Sequence, residues 1–134
     1  MAFYYLDSSA LVKLVIDEVG SEAMRSFYTP GDLWFSADIT RTEVPRCLAR
    51  LDETMPLADR RAVLDGVALI NLDAPLYDLA GSLQPSSLRS LDAIHVAAAL
   101  TLGSELTAFV TYDHRLADAA ERNGLRVLAP GVDS

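Results

Sequence analysis

Four acids in this chain stand where a carboxylate could do chemistry: Asp7, Glu43, Asp92 and Asp113. Asp7 directly follows the apolar run Phe3-Tyr4-Tyr5-Leu6, and Asp113 closes the run Thr107-Ala108-Phe109-Val110-Thr111-Tyr112. Glu43 comes shortly after a third run, Leu33-Trp34-Phe35-Ser36-Ala37, and Asp92 opens a long apolar helical stretch. In parallel α/β sheets ligands bind outside the carboxyl ends of the strands, where the strand order reverses. If the strands ending at Asp7 and Asp113 are neighbours, their carboxylates converge on one spot, and the helices bearing Glu43 and Asp92 can turn both toward the same edge. Four carboxylates at one rim raise each other's pKa unless something positive sits between them. The natural counter-charge is a hard divalent cation, Mg²⁺ or Mn²⁺, held by a few carboxylates, waters and a substrate phosphate. Such a site hydrolyses phosphate esters: the metal activates a water and stabilises the attacking and leaving oxygens.

Each acid alone also has a structural reading. Asp7 and Asp113 can cap the helices that follow them. Glu43 and Asp92 can be first-turn acids favoured by the helix dipole. The chemical reading rests on their joint placement.

The elements that must position them alternate between strand and helix periods. Strands are predicted at Phe3–Leu6, Leu33–Ala37, Ala68–Leu72, Thr107–Thr111 and Arg126–Leu128. Helices are predicted from Ala10 to Ile16 with Ser8 or Ser9 as cap, over Ser21–Tyr28, from Ile39 to Leu51, over Leu57–Leu69, from Pro75 to Leu83, from Leu91 to Leu102 with Ser90 as cap and Gly103 as stop, and from His114 to Arg122. Pro45 belongs in the first turn of its helix or marks a kink, since it removes a backbone donor and clashes one turn back. The alternation implies a parallel sheet covered on both faces.

The 134 residues, 51% hydrophobic and 22% charged, suit one folded domain with a proper core. No apolar stretch reaches a membrane span and the N-terminus lacks a signal-peptide pattern, so the expected setting is a soluble, cytoplasmic one. Cys47 is the only cysteine and there are two histidines, which excludes an intramolecular disulfide and a Cys/His zinc site. Lys13 is the single lysine beside ten arginines. No glycine-rich phosphate loop, dinucleotide fingerprint or Gly-x-Ser-x-Gly motif occurs. A net charge of −8 argues against broad electrostatic capture of nucleic acid.

Asp7-Ser8-Ser9-Ala10-Leu11-Val12-Lys13-Leu14, Thr42-Glu43-Val44, Leu91-Asp92-Ala93-Ile94-His95 and Thr111-Tyr112-Asp113 resemble, in this order and at the usual spacings, the PIN-domain family. Within it they resemble the VapC branch, the toxins of type II toxin–antitoxin modules. The resemblance covers essentially the whole chain, 1–134, as a single PIN domain. It implies a three-layer α/β/α fold around a parallel sheet of about five strands, and Mg²⁺- or Mn²⁺-dependent cleavage of single-stranded RNA. It maps the family's four acids onto Asp7, Glu43, Asp92 and Asp113, with Asp7, Asp92 and Asp113 as principal metal ligands. Glu43 helps hold metal or orients the attacking water, and Thr111 and Ser9 are accessory. Pro45, two residues after Glu43, departs from the family's regular helix. The implied partners are a cognate VapB-type antitoxin, within dimer-based assemblies that include a toxin homodimer, and an RNA substrate.

Around these residues, His95 is expected to be a packed, hydrogen-bonded histidine, His114 a surface residue, and Asp118 an exposed acid paired with Arg115 or Arg122. Arg41, Arg89 and Arg115 flank the acids in sequence and are candidate RNA-phosphate contacts. Leu11, Val12, Leu14, Val15, Phe27 and Tyr28 are a candidate antitoxin-docking surface, or else core. Three other readings stand beside the nuclease toxin. An aspartyl-phosphate phosphatase wants a second acid where Ser9 stands, and a late lysine. A nuclease outside a toxin–antitoxin system, or an inactive PIN-fold binding module, would keep the fold.

Overall fold

Among the described residues five short strands hold the apolar runs at the centre of the molecule: β1 (Phe3–Leu6), β2 (Leu33–Ala37), β3 (Ala68–Ile70), β4 (Leu106–Val110) and β5 (Val127–Leu128). The structure is a computed structural model and describes residues 1–132; Asp133 and Ser134, the end of the expected 1–134 domain, lie outside the described residues. All pairings are parallel, in the order β3-β2-β1-β4-β5. The chain lays β2 and β3 to one side of β1, then returns to place β4 and β5 on the other. The strand order therefore reverses between β1 and β4, the two strands that end near Asp7 and Asp113.

Among the described residues seven α-helices cover the sheet: α1 (Ser8–Lys13), α2 (Ser21–Phe27), α3 (Thr40–Leu51), α4 (Leu57–Ala62), α5 (Ala74–Ser82), α6 (Ser90–Leu100) and α7 (His114–Arg122). Two apolar clusters form the core. In one, residues of α5, α6 and α7 pack with Tyr5 and Phe109. In the other, residues of α1, α2 and α3 pack with Leu6, Trp34 and Val110. Because side chains alternate along a strand, neighbours such as Tyr5 and Leu6 serve opposite faces. The result is the expected three-layer α/β/α arrangement with five parallel strands.

Several local expectations need correction. Asp7, not Ser8 or Ser9, caps α1: its side chain accepts from the backbone N–H of Ala10, and both serines lie inside the helix. The helix ends at Lys13 rather than Ile16. The stretch expected as one helix over Leu57–Leu69 is α4 followed by a 3-10 turn at Val63–Gly66, and β3 stops at Ile70. Neither piece has a fully buried residue, and Val63 and Leu64 pack against the core only partly buried, which gives a longer helix little to hold it. Ser90 is the first residue of α6 and makes no cap. Pro45 sits in the second turn of α3, buried, and the helix runs on past it to Leu51.

Leu11 and Val12 are core residues, and Leu14, Val15, Phe27 and Tyr28 are half-buried against the same cluster. The surface proposed for antitoxin docking is therefore mostly interior.

Candidate active site

Asp7 leaves the end of β1 and is almost wholly buried, 3% exposed. Three donors hold it. Its Oδ1 accepts from Ser9 Oγ at 2.7 Å and from the Ala10 N–H at 3.0 Å, and its Oδ2 accepts from Thr111 Oγ1 at 2.6 Å. Ser9 and Thr111 also stitch the two chain segments together. Ser9 Oγ accepts from the Tyr112 N–H, and Thr111 Oγ1 accepts from the Asp113 N–H. Burial pushes the Asp7 carboxyl up; the charge of His95 and the bonds from Thr111, Ser9 and Ala10 offset this only in part.

Glu43 lies in the first turn of α3, half-buried. Its Oε1 accepts from Ser8 Oγ at 2.7 Å and meets His95 Nε2 at 2.7 Å. Burial would raise its pKa, but the bonds from His95 and Ser8 and the nearby imidazole charge bring it below the usual range. His95 comes from α6, one turn after Asp92, and its other ring nitrogen, Nδ1, is 2.7 Å from the Tyr5 hydroxyl. Burial would lower the His95 pKa; the bond to Glu43 and the charges of Glu43, Asp7 and Asp92 raise it instead.

Asp92, half-buried in the first turn of α6, accepts no hydrogen bond among the described residues. Burial raises its pKa, and Asp113 raises it further, against the opposing charges of His95 and Arg89. Asp113 is exposed and caps α7, its Oδ1 accepting from the N–H groups of Arg115 and Leu116 at 2.9 and 3.2 Å. Through these charge interactions all four sequence-nominated acids share one electrostatic neighbourhood at the β1/β4 edge.

The structural and chemical readings of these acids turn out to be compatible. An ionised carboxylate offers about four acceptor positions. The caps of Asp7 and Asp113 engage one oxygen, Oδ1, and the bonds to Glu43 likewise fall on a single oxygen, Oε1. Oδ2 of Asp113 and Oε2 of Glu43 take no bond among the described residues, and Oδ2 of Asp7 takes one.

The donor set is oxygen only, which suits Mg²⁺ or Mn²⁺ in kind. Among the described residues no group of three or more His, Cys, Asp or Glu side chains stands together closely enough to hold a metal ion unaided.

Of the candidate phosphate contacts, Arg89 and Arg115 line a cleft of about 380 Å³ together with Asp92 and Asp118. Arg41 is separate: it pairs with Asp38 at 2.6 Å and lines another cleft, with Arg61 and Leu64. Asp118 pairs with Arg122 at 2.8 Å, and His114 is exposed. Sequence reasoning described His95 as packed and hydrogen-bonded, but missed that its partners are Glu43 and Tyr5. Tyr5 carried no signal at all; Ser8 stood inside the motif that carries the family resemblance.

The chain matches the family model for the PIN domain over residues 4–122. Ribonuclease VapC46 of Mycobacterium tuberculosis is 45% identical over 130 residues, covering 97% of this chain and 99% of the relative. Ribonuclease VapC47 of the same species is 40% identical over 132 residues, covering 96% and 97%. Among solved structures, M. tuberculosis VapC20, described as a sarcin-ricin loop cleaving toxin, aligns with a TM-score of 0.71 at 14% identity over 95% of this chain and 99% of that one. VapBC2 from Rickettsia felis, bound to a DNA fragment from their promoter, aligns with a TM-score of 0.69 at 11% identity over 96% and 98%. At those identities the two structures speak to the fold alone.

Proposed function

The chain belongs to the PIN-domain family, in its VapC-type branch, and from that premise we propose that it is a Mg²⁺- or Mn²⁺-dependent endoribonuclease that cleaves single-stranded RNA as the toxin of a toxin–antitoxin module. The observation that supports this reading is that β1 and β4 are neighbours at the switch point, so that Asp7 and Asp113 follow adjacent strand ends, with Glu43 tied to α1 and α6 through Ser8 and His95.

When bound, the cation supplies Lewis acidity and a water of lowered pKa. Asp7 would offer it Oδ2, already oriented by Thr111, while Asp92 and the Oδ2 of Asp113 are free to move onto it. Glu43, through Oε2, would orient the attacking water or share the cation. Arg89 and Arg115 would grip phosphates of the strand beside Asp92, since guanidinium forks match phosphate oxygens. Arg41, committed to Asp38, contributes least.

A VapB-type antitoxin and RNA are the proposed partners, and a toxin homodimer the proposed assembly. No helix among the described residues is long and apolar enough to cross a membrane; a cytoplasmic setting is part of the proposal. The deciding experiment incubates purified protein with defined single-stranded and structured RNAs, with Mn²⁺ or with a chelator. Metal-dependent internal cleavage of the single-stranded RNAs is expected, and its absence from Asp7→Asn. Cleavage that persists in chelator, or in Asp7→Asn, would overturn the reading; a wild type that binds RNA yet never cuts would mark an inactive binding module.

A further inference from the structure

Glu43 sits on a helix turn interrupted by a proline. Its helix starts at Ile39 without a side-chain cap, and Pro45 has no N–H to return to the carbonyl of Arg41 in the same turn. A glutamate also carries more side-chain freedom than an aspartate. Yet its Oε1 is met from two directions, by Ser8 of α1 and by His95 of α6. Behind His95 stands Tyr5, which is fully buried and stacked on Phe109 with centroids 5.0 Å apart. Nε2 can donate to Glu43 in either protonation state: in the neutral ring with the Tyr5 O–H donating to Nδ1, and in the imidazolium with Nδ1 donating to the Tyr5 oxygen. A hydrogen bond made from behind the ring fixes its orientation and with it that of the carboxylate it touches.

We propose that Tyr5 and His95 are positioning residues, a buried hydrogen-bonded chain that aims the Glu43 carboxylate by occupying Oε1 and leaving Oε2 to the cation and its water. The placement of His95 three residues after Asp92 gives the chain a second effect. One helix, buried along Ala93–Ala99, carries a rim acid and also the group that holds another rim acid from α3. Rungs three residues apart share a helix face, so α6 sets the spacing between Asp92 and Glu43. The inference rests on the metal-dependent reading above. The competing explanation is that these bonds merely satisfy polar groups that the fold happens to bury.

The two are separated by the affinity for Mn²⁺, titrated calorimetrically into metal-free, folded protein, beside the melting temperature and RNA cleavage. If the chain aims Glu43, His95→Ala weakens Mn²⁺ binding by about tenfold or more. His95→Gln recovers much of that loss, because its amide can donate to Oε1. Tyr5→Phe, which keeps the ring and loses only the hydroxyl, weakens binding in the same direction and to a smaller extent. The cleavage rate at saturating RNA falls in the same order, while RNA affinity stays unchanged. A role confined to stability lowers the melting temperatures and leaves the Mn²⁺ affinity of the folded protein unmoved; that result, or His95→Gln no better than His95→Ala, overturns the proposal. Should His95→Ala fail to fold, Tyr5→Phe and His95→Gln carry the test, and wild-type affinity in both overturns it. If the wild type binds no Mn²⁺ and cleaves no RNA, the nuclease reading itself fails. If the wild type does both while the variants match it, only the positioning role fails.

Discussion

Asp7 and Asp92 are both carboxylates whose pKa is raised by burial, yet they live in opposite kinds of site. Asp7 is enclosed, with three donors drawn from its own helix and from the neighbouring strand's end. Asp92 is half-open, without a donor among the described residues, and faces the charge of Asp113. The enclosed half of the rim, Asp7 with Glu43, is built before any ligand arrives. In the open half, Asp113 commits Oδ1 to the cap of α7 and keeps Oδ2 uncommitted, and Asp92 takes no hydrogen bond on either oxygen among the described residues. Preorganisation on one side saves reorganisation when charge develops, whereas freedom on the other lets a hydrated cation complete its own geometry.

The comparison breaks most sharply at the acids themselves. Asp7→Asn and Asp92→Asn are each expected to lower the cleavage rate on the order of 10²–10³-fold or more. Their metal-free stabilities should then separate the two halves. Asn caps a helix about as well as Asp; it loses the acceptor for Thr111 but also a charge that burial disfavours, so Asp7→Asn should melt within a few degrees of wild type. Asp92→Asn loses a like charge and no hydrogen bond, so it should melt higher. A lower melting temperature for Asp92→Asn would show that its carboxylate has a supporting partner after all.

Thr111→Val tests the enclosed half at its support. It strips the donor from Asp7 Oδ2 and the acceptor from the Asp113 N–H. Leaving buried polar groups unpaired costs about 1–3 kcal/mol each, and losing a supporting bond should slow cleavage about 10–100-fold. Thr111→Ser, which keeps the hydroxyl, should recover most of both, as read by melting and by single-turnover cleavage.

Metal sharpens the contrast. Binding to the folded state alone adds about 2.7 kcal/mol of stability at a hundred times the dissociation constant. Mn²⁺ should therefore raise the melting temperature of wild type more than that of Asp7→Asn or Asp92→Asn. Equal shifts in all three would remove the cation from this rim.

The smallest expected effect is on pH. A carboxyl whose folded pKa is raised contributes stability that is present below the ordinary carboxylate range, about pH 4, and is lost as pH rises through the folded pKa. Asp7 and Asp92 both have this sign. Glu43, whose pKa is lowered, has the opposite one: its contribution is present above that range and fades as pH falls through the folded pKa. Metal-free Asp92→Asn should lose less stability than wild type as pH rises from about 4 toward neutrality. Chemical denaturation across that range, with chelator present, measures it; parallel curves would mean that Asp92 titrates normally.

How much of this was legible beforehand depends on the range of the cause. Strand β1, strand β2 and α7 were readable to the residue, because period, capping and stop signals act within a few positions. The positions of the four acids relative to the strands followed from the same local signals, as did the caps that Asp7 and Asp113 could make. Where no apolar face or cap decided the matter, as at Leu57–Leu69 and Ser90, the local reading ran too long or chose the wrong cap.

By itself, then, the order of residues determined an alternating α/β chain with acids at the strand ends, and the motif blocks determined its family. That Asp7 and Asp113 end on adjacent strands was decided by the return of β4 to the free side of β1, a pairing of segments about a hundred residues apart. The bond between His95 and Glu43, which bridges 52 positions, exists only because α3 and α6 meet at that edge. Whether Leu11 and Val12 were surface or core was likewise settled by the packing of α1, α2 and α3 on one face of the sheet. Hydrogen bonds and burial of this kind depend on which elements become neighbours, and neighbours are chosen by the packing of the whole core, which no window of consecutive residues contains.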